Sequence, residues 1–201
     1  MPRQPLTDEE LEVTRTRILL EAAIIVGKSG IAGLSMRGLA QRIGLTPGAL
    51  YRYFPSKQDI LLSYWEDALQ AVAERIAAID VSETDTPAAI RHMLYAYANF
   101  CLEDHDRFRL LFLEMDQEVG PELFQRSAGF APYDLVLRRI ERALKDGHFL
   151  STDAELLTQT LWAGVHGAVT LLITVKEIEL KADLLDTTIN ALMRGLSAKE
   201  T

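Results

Sequence analysis

The stretch LTPGALYRYFPSK, residues 45–57, combines two tyrosines, an arginine and a Pro-Gly pair in a turn and a short helix. Thr46 can cap this helix through its hydroxyl, and Pro47 suits the first helical position because the N–H that proline lacks is unpaired there anyway. Leu50 and Phe54 lie four residues apart and share one face, which we expect to be buried. The other bulky side chains must then face solvent, which indicates a binding element rather than part of the core.

A second short helix precedes this element. Ser35 can cap it, and Gly44 is placed to end it, since glycine readily adopts the left-handed backbone that follows many helices. Two short helices joined by a tight turn containing glycine are typical of a helix-turn-helix, whose second helix enters the major groove of DNA. The sequence therefore predicts this motif within Leu34–Lys57.

The distribution of charge supports a nucleic-acid partner, although the net charge of the chain is −8. Residues 1–57 hold eight basic and five acidic residues, a balance of +3, so the remainder carries −11. Four of the five acidic residues stand between Asp8 and Glu12, where they favour a helix N-terminus. The chain thus has a basic head, which can bind phosphates, and an acidic body.

Residue types around the turn suit contact with double-stranded DNA. A helix start binds phosphate through its free N–H groups, glycine lets the backbone approach closely, and small apolar side chains fit a thymine methyl. Tyrosine hydroxyls and a guanidinium reach phosphates or guanine. The residues expected to contact DNA are Ser35, Arg37, Thr46, Pro47, Gly48, Ala49, Tyr51, Arg52, Tyr53 and Lys57. For Arg37, as for Arg42, an exposed ion pair fits the sequence equally well.

Nearly every other segment has helical periodicity and none alternates like a strand, so we expect an all-α fold. Thr7 with Glu10, and Thr152 with Glu155, have the spacing of a capping box at the start of two helices. The segment GKSG, residues 27–30, is expected to end the first helix.

We expect two domains: a helix-turn-helix DNA-binding head, residues 1–56, and a helical regulatory and dimerisation body, residues 57–201. A polar, acidic break at Asp80–Pro87 is expected to separate the long helix after the head from the rest of the body. The lone Cys101 has no partner for an intramolecular disulfide, and no signal-like N-terminal run is present, so the expected location is the cytoplasm.

Residues from Arg15 to Ile60, including LSMRGLAQRIGLTPGALYRYFPSKQDIL, resemble the DNA-binding domain of the TetR family of transcriptional regulators. The shared features are the turn glycine, the Tyr-x-x-Phe step and the lysine of the following helix. The resemblance implies an all-helical homodimer whose heads lie on adjacent major grooves and whose body binds an inducer or senses another signal. We expect a repressor that binds a pseudo-palindromic operator and is released by an effector in its body, without cofactor or metal. Gly38 departs from the pattern where the family often has an acidic residue, and Tyr53 stands where histidine is more usual.

The segment WAGVHG, residues 162–167, resembles the Trp-His-Gly signature of one subfamily of these regulators. It lies on a helix that is apolar nearly all round and must be covered on both sides, which favours a partner subunit as one cover. Small residues on one face would let another helix approach closely. With the last helix, two copies could form a four-helix bundle. The expected dimer residues are Gly164, Gly167, Ala168, Leu171, Leu185, Ile189, Leu192 and Leu196.

A set of large side chains in the body could line an apolar effector pocket, although they fit an ordinary core equally well. They are Tyr97, Phe100, Phe108, Phe112, Met115, Trp162 and His166. His166 taken alone is better explained as a core or interface histidine than as a ligand contact.

Three other interpretations remain. The uncharged segment from Leu156 to Val175 has the length of a membrane span, but its six polar residues argue against one. A small helical enzyme would need convergent titratable groups, and the four histidines are scattered and match no catalytic motif. An interaction module that binds protein through its head is the third.

Overall fold

The computed structural model describes residues 7–113, 131–150 and 152–197, so Met115, an expected pocket residue, lies outside them. The helices in these ranges are α1 (Asp8–Gly33), α2 (Met36–Ile43), α3 (Pro47–Leu50), α4 (Lys57–Ser82), α5 (Thr86–Glu103), α6 (His105–Phe108), a π-helical turn (Arg109–Leu113), α7 (Ala131–Lys145), α8 (Ala154–Thr174) and α9 (Leu184–Leu196). Apart from one antiparallel bridge between Phe149 and Ser197, the described residues form no β-structure. The all-α prediction is confirmed.

Helix α1 begins with the expected capping box: the Thr7 hydroxyl accepts from the Glu10 N–H, and the Glu10 carboxylate accepts from the Thr7 N–H. The regular helix is interrupted within GKSG, as expected: Gly30 has a non-helical backbone, and its φ of 67° lies in the left-handed region that glycine tolerates. A further short helical segment after this kink extends α1 to Gly33.

The helix-turn-helix forms as predicted. The Ser35 hydroxyl accepts from the Gly38 N–H and caps α2, and Gly44 ends α2 with a φ of 74°. Helix α3 is a single turn, but backbone hydrogen bonds continue its turns as far as Phe54. Leu50 and Phe54 are buried as predicted.

Packing divides the described residues into two compact units. One holds the described residues up to Ala68 and, from later in the chain, those from Asp106 to Leu113. Its core includes Ile60 and Leu61 at the start of α4, together with Leu110 of the π-helical turn. The unit that contains the helix-turn-helix therefore extends beyond the expected 1–56, because the first turns of α4 bury their apolar face in the same core.

The second unit holds Leu69–His105 and the described residues of α7 to α9. Helix α8 lies at its centre and packs against α5, α7 and α9. Its N-cap is Asp153, whose carboxylate accepts from the Leu156 N–H at 2.7 Å, so the expected capping box of Thr152 with Glu155 is wrong by one position. An aspartate carboxylate one residue later performs the same capping.

Candidate nucleic-acid interface

The start of α3 presents a cap, a proline and a glycine to solvent. The Thr46 hydroxyl accepts from the Ala49 N–H at 3.2 Å, and Pro47 occupies the first turn. Both Thr46 and Gly48 are exposed, and a Cβ added at Gly48 would meet nothing within 4 Å. This end of α3 thus has an open surface that a duplex backbone can approach.

The next three residues differ in accessibility. Tyr51 is 51% exposed and Arg52 is exposed, as expected of residues that contact DNA. Tyr53 is only partly exposed and packs against the core of the head, so it offers less surface than its two neighbours. The exposed arc is therefore centred on Tyr51 and Arg52.

Two arginines of α1 bind backbone carbonyl groups of the helix-turn-helix, one at the end of α2 and one just after α3. Arg15 donates from Nη1 to the Tyr53 carbonyl at 3.0 Å, and its guanidinium carbon lies 4.4 Å from the centre of the Phe54 ring. Arg17 donates from Nη2 to the Ile43 carbonyl at the end of α2. The sequence analysis missed these roles. Arg15 lies three residues before the buried Ile18, a spacing that places both on one face of α1 and could have indicated the inward position.

Other basic residues of the head are also engaged within the chain. Arg42 forms an ion pair with Glu21, and the Lys57 ammonium lies 3.5 Å from the Ile31 carbonyl as a donor. For Arg42 the structure thus has the ion pair that the sequence allowed as an alternative to phosphate contact. Arg37 and Arg52 are exposed, and neither has an ion pair with another described residue.

The charge of Arg15 also reaches the carboxyl group of Asp67 on α4. Burial raises the pKa of Asp67, Arg15 acts in the opposite direction, and the nearby Glu12 and Glu66 raise that pKa further. Arg15 itself lies 3.7 Å from the Glu12 carboxylate. The guanidinium is thus surrounded by a carbonyl, an aromatic ring and carboxylates, which fixes its orientation.

In the second unit, a polar cluster links α5 to α8. The Tyr97 hydroxyl lies 2.6 Å from Nδ1 of His166 and accepts from the Trp162 indole N–H at 3.1 Å. Burial lowers the pKa of His166 and raises that of Tyr97 well above its usual value. The structure thus brings together three of the expected pocket residues, and His166 is partly buried within a hydrogen-bonded cluster.

The other expected pocket residues do not join this cluster. Phe100 is buried in the same unit, with the Arg75 guanidinium 5.5 Å from its ring centre. Phe108 and Phe112 contact each other at a ring-centre distance of 5.2 Å, but they belong to the unit that holds the helix-turn-helix. The expected set is therefore divided between two units.

The expected dimer residues of α8 fall on two faces. A Cβ added at Gly164 would lie 2.7 Å from Leu192 Cδ1, and Ala168 is buried, so these two belong to packing within one chain. Gly167 is exposed and Leu171 is 45% exposed. We call the exposed face of α8 that contains them the α8 stripe; it consists of Leu156, Thr160, Ala163, Gly167 and Leu171.

The expected dimer residues of α9 are all at least partly buried within one chain. Ile189 is buried, whereas Leu185, Leu192 and Leu196 are partly buried.

Helix α8 is long and apolar enough to cross a membrane by length and composition. Helix α8 packs against three helices of the same unit, and this packing accounts for its apolar character without a membrane.

The geometry defines a class of protein: a helical chain with a helix-turn-helix at its N-terminal end and a separate helical bundle. Residues 18–64 match the family model described as bacterial regulatory proteins, tetR family. Residues 90–196, more than half of the chain, match the model described as tetracyclin repressor-like, C-terminal domain. The chain belongs to the TetR family of DNA-binding transcriptional regulators, which are not enzymes, as the resemblance implied.

The chain is also similar to curated relatives in sequence and to solved structures in fold. The chain is 32% identical over 164 residues to the nucleoid occlusion factor SlmA of Citrobacter koseri, a match covering 76% of this chain and 79% of that protein. For the SlmA of Haemophilus ducreyi, at 27% identity, the match spans only about half of each chain, 55% and 53%. The fold resembles that of the TetR family regulator PfmR from Thermus thermophilus, with a TM-score of 0.72, 24% identity, and coverage of 90% and 100%.

Proposed function

We propose that this chain is a homodimeric, ligand-responsive repressor that binds a pseudo-palindromic operator in the bacterial cytoplasm. The observation that carries the proposal is the exposed pair Tyr51 and Arg52, which follows the open, capped start of α3. Residues 1–56 supply the DNA contacts in this proposal, and residues 57–201 supply dimerisation and regulation. Arg37 and Arg52, which have no ion pair with another described residue, provide positive charge for phosphates, whereas the Ser35 and Thr46 hydroxyls cap α2 and α3.

The α8 stripe supports the proposed dimerisation. Gly167 and Ala163 leave the backbone of α8 accessible between larger side chains, and helices approach closely where such small residues lie. Leu156 and Leu171, 58% and 45% exposed, would bury apolar surface against a second copy. Two heads held by this contact would need recognition helices about 34–36 Å apart to enter successive major grooves.

Effector recognition is proposed at the cluster of Tyr97, Trp162 and His166, of which the last two lie in the segment 162–167 that resembles the Trp-His-Gly signature. Its rings offer apolar surface, and its hydroxyl, Nδ1 and indole N–H are hydrogen-bonded to one another, so it suits a mainly apolar ligand. An effector that favours a head spacing unsuited to DNA would shift the population away from the bound state. Release then needs no covalent step.

Selection of bound sequences from a random duplex library tests this function, because it reports binding, symmetry and spacing together. Replacement of Arg52 by Ala is expected to weaken operator affinity and to lower the salt slope of binding by about one phosphate contact. Arg42→Ala is the matched control, since its guanidinium is paired with Glu21. If the double variant Tyr51→Ala with Arg52→Ala kept the operator affinity and the salt slope of the wild type, Tyr51 and Arg52 would not contact DNA.

A second candidate function comes from the relatives named nucleoid occlusion factors, at 32% identity. In this case the chain would act in nucleoid occlusion instead of regulating a promoter. Mapping of the bound sites across the genome separates the two: a few sites at promoters support the repressor, and many dispersed sites support the nucleoid factor.

A further inference from the structure

Helix α1 carries an exposed apolar face that the DNA contacts do not use. Val13 is 64% exposed, Leu20 is 58% exposed and Ile24 is 40% exposed. These positions are spaced by seven and four residues and therefore share one side of the helix. We call this face the α1 stripe.

The α1 stripe lies opposite the buried side of the same helix. Ile18, Ala22 and Val26 point into the core of the head and are almost inaccessible to solvent. A helix with an apolar core side needs polar residues on its other side to be stable in water, and large apolar residues clustered there mark an interaction surface. The described part of the chain leaves this surface uncovered.

Charges at the two ends of the α1 stripe identify its partner. Glu9 lies on the same face near the N-terminus of α1, and Lys28 lies on that face near the other end; both are exposed. When two copies of α1 lie antiparallel with Val13 of one opposite Ile24 of the other, Glu9 of each faces Lys28 of the other. A two-fold symmetric contact is self-complementary in this way, because each pair occurs twice. The helix dipoles are also antiparallel in this arrangement.

We propose that α1 pairs antiparallel with α1 of a second copy through the α1 stripe, and that this head-to-head contact is separate from the one at the α8 stripe. Three large apolar side chains per copy form its centre, and two Glu9–Lys28 pairs form its rim. Such an interface is small, so the contact is weak in dilute solution and strengthens when copies are held close together.

The contact has a consequence that rests on the proposed function. A dimer joined through α8 has two heads, each with an α1 stripe, and in this proposal the stripe pairs with a head of another dimer and joins one dimer to the next. Dimers on neighbouring operator copies would then bind cooperatively. The contact itself does not depend on DNA binding and is tested without it.

Sedimentation velocity of the full chain over a range of concentrations provides the first test. The sedimentation coefficient of the wild-type protein is expected to rise with concentration, because the dimers present at low concentration associate further. Lys28→Glu places like charges opposite each other and is expected to weaken this association about tenfold, as Leu20→Ser does by removing apolar contact. The double variant Glu9→Lys with Lys28→Glu restores opposite charges and should return the association towards the wild-type level, which a merely structural effect of either change would not do.

Disulfide trapping provides the second test, because it depends on the register. An oxidised equal mixture of Val13→Cys and Ile24→Cys chains is expected to form the mixed crosslink in preference to either self-crosslink. A mixture of Val13→Cys with Val81→Cys is the control for random collision, since Val81 is 87% exposed. The native Cys101 is buried and does not interfere.

The outcomes separate this proposal from the function proposed above. The protein could dimerise and bind its operator while none of these substitutions changed its further association or its crosslinking. That result would overturn the α1 contact and leave the proposed repressor function standing. Restoration of association by the charge swap in protein that binds no operator supports the α1 contact and overturns the repressor.

Discussion

Arg15 in α1 donates a hydrogen bond to the backbone carbonyl of Tyr53 at 3.0 Å. Tyr53 is the residue that follows the exposed Arg52. The same guanidinium lies over the ring of Phe54. One side chain thus fixes the backbone and the buried anchor of the segment that carries the proposed DNA contacts. Arg15 therefore supports the proposed DNA-binding segment through its backbone and its buried side without contacting DNA itself.

Arg15→Ala is expected to lower operator affinity without removing a phosphate contact. The loss of one charge-assisted hydrogen bond and one cation–π contact should reduce the free energy of unfolding by about 1–3 kcal/mol. Thermal denaturation and fluorescence anisotropy on labelled operator measure the two effects, with the exposed neighbour Thr16→Ala as control. A salt slope lowered by about one would instead identify Arg15 as a phosphate ligand.

Alanine at Gly48 and alanine at Gly44 should have opposite effects on stability. A Cβ at Gly48 meets nothing within 4 Å, so Gly48→Ala should keep or raise stability by up to about 1 kcal/mol and still weaken operator binding, because it adds bulk on the DNA side of α3. Gly44 has a φ of 74°, so Gly44→Ala should lose about 1–2 kcal/mol of stability. Chemical denaturation and operator titration of both variants test this. Full operator affinity in Gly48→Ala would show that the duplex does not approach there.

Leu171→Glu should convert the dimer to a monomer at micromolar concentrations. The change buries two carboxylates in the proposed contact at the α8 stripe, where each lacks a partner. The monomer should stay folded, because Leu171 is 45% exposed within one chain. Light scattering coupled to gel filtration measures the mass, with Val81→Glu as the control. A dimer that survives Leu171→Glu would place the interface elsewhere.

The stability of the body should depend on His166 at mildly acidic pH. Burial lowers the pKa of His166 below its usual 6.5, so on acidification through 6.5 the unfolded chain takes up a proton before the folded chain does. This contribution to stability is therefore fully present above 6.5 and is lost as the pH falls. The melting temperature of His166→Gln should change less between about pH 7 and about pH 5.5 than that of the wild type. Equal changes in both proteins would contradict this assignment.

Tyr97 gives the corresponding control at alkaline pH. Burial raises its pKa well above the usual 10, so the folded chain keeps a proton that the unfolded chain releases above 10. Stability from this group is lost as the pH rises, which Tyr97→Phe should prevent and His166→Gln should not.

The sequence alone determined the helices and the helix-turn-helix, because these depend on neighbours in the chain. The caps at Thr7, Ser35 and Thr46, the left-handed Gly44 and the inward pair of Leu50 and Phe54 are all local features, and the structure has each of them. The one-residue error at Asp153 is of the size expected where two capping side chains stand side by side.

Only the tertiary structure decided which exposed-looking residues are free. In the sequence, Lys57 was expected to contact DNA, Arg42 fitted phosphate contact and an ion pair equally well, and Arg15 had no predicted role; in the structure each has a partner 21 or more residues away in the chain. Tertiary packing likewise separated Gly164, which meets Leu192, from Gly167 three residues later, which faces solvent. Spacing along a helix shows which residues share a face, but the element that covers the face comes from elsewhere in the chain, and only the folded arrangement brings it there.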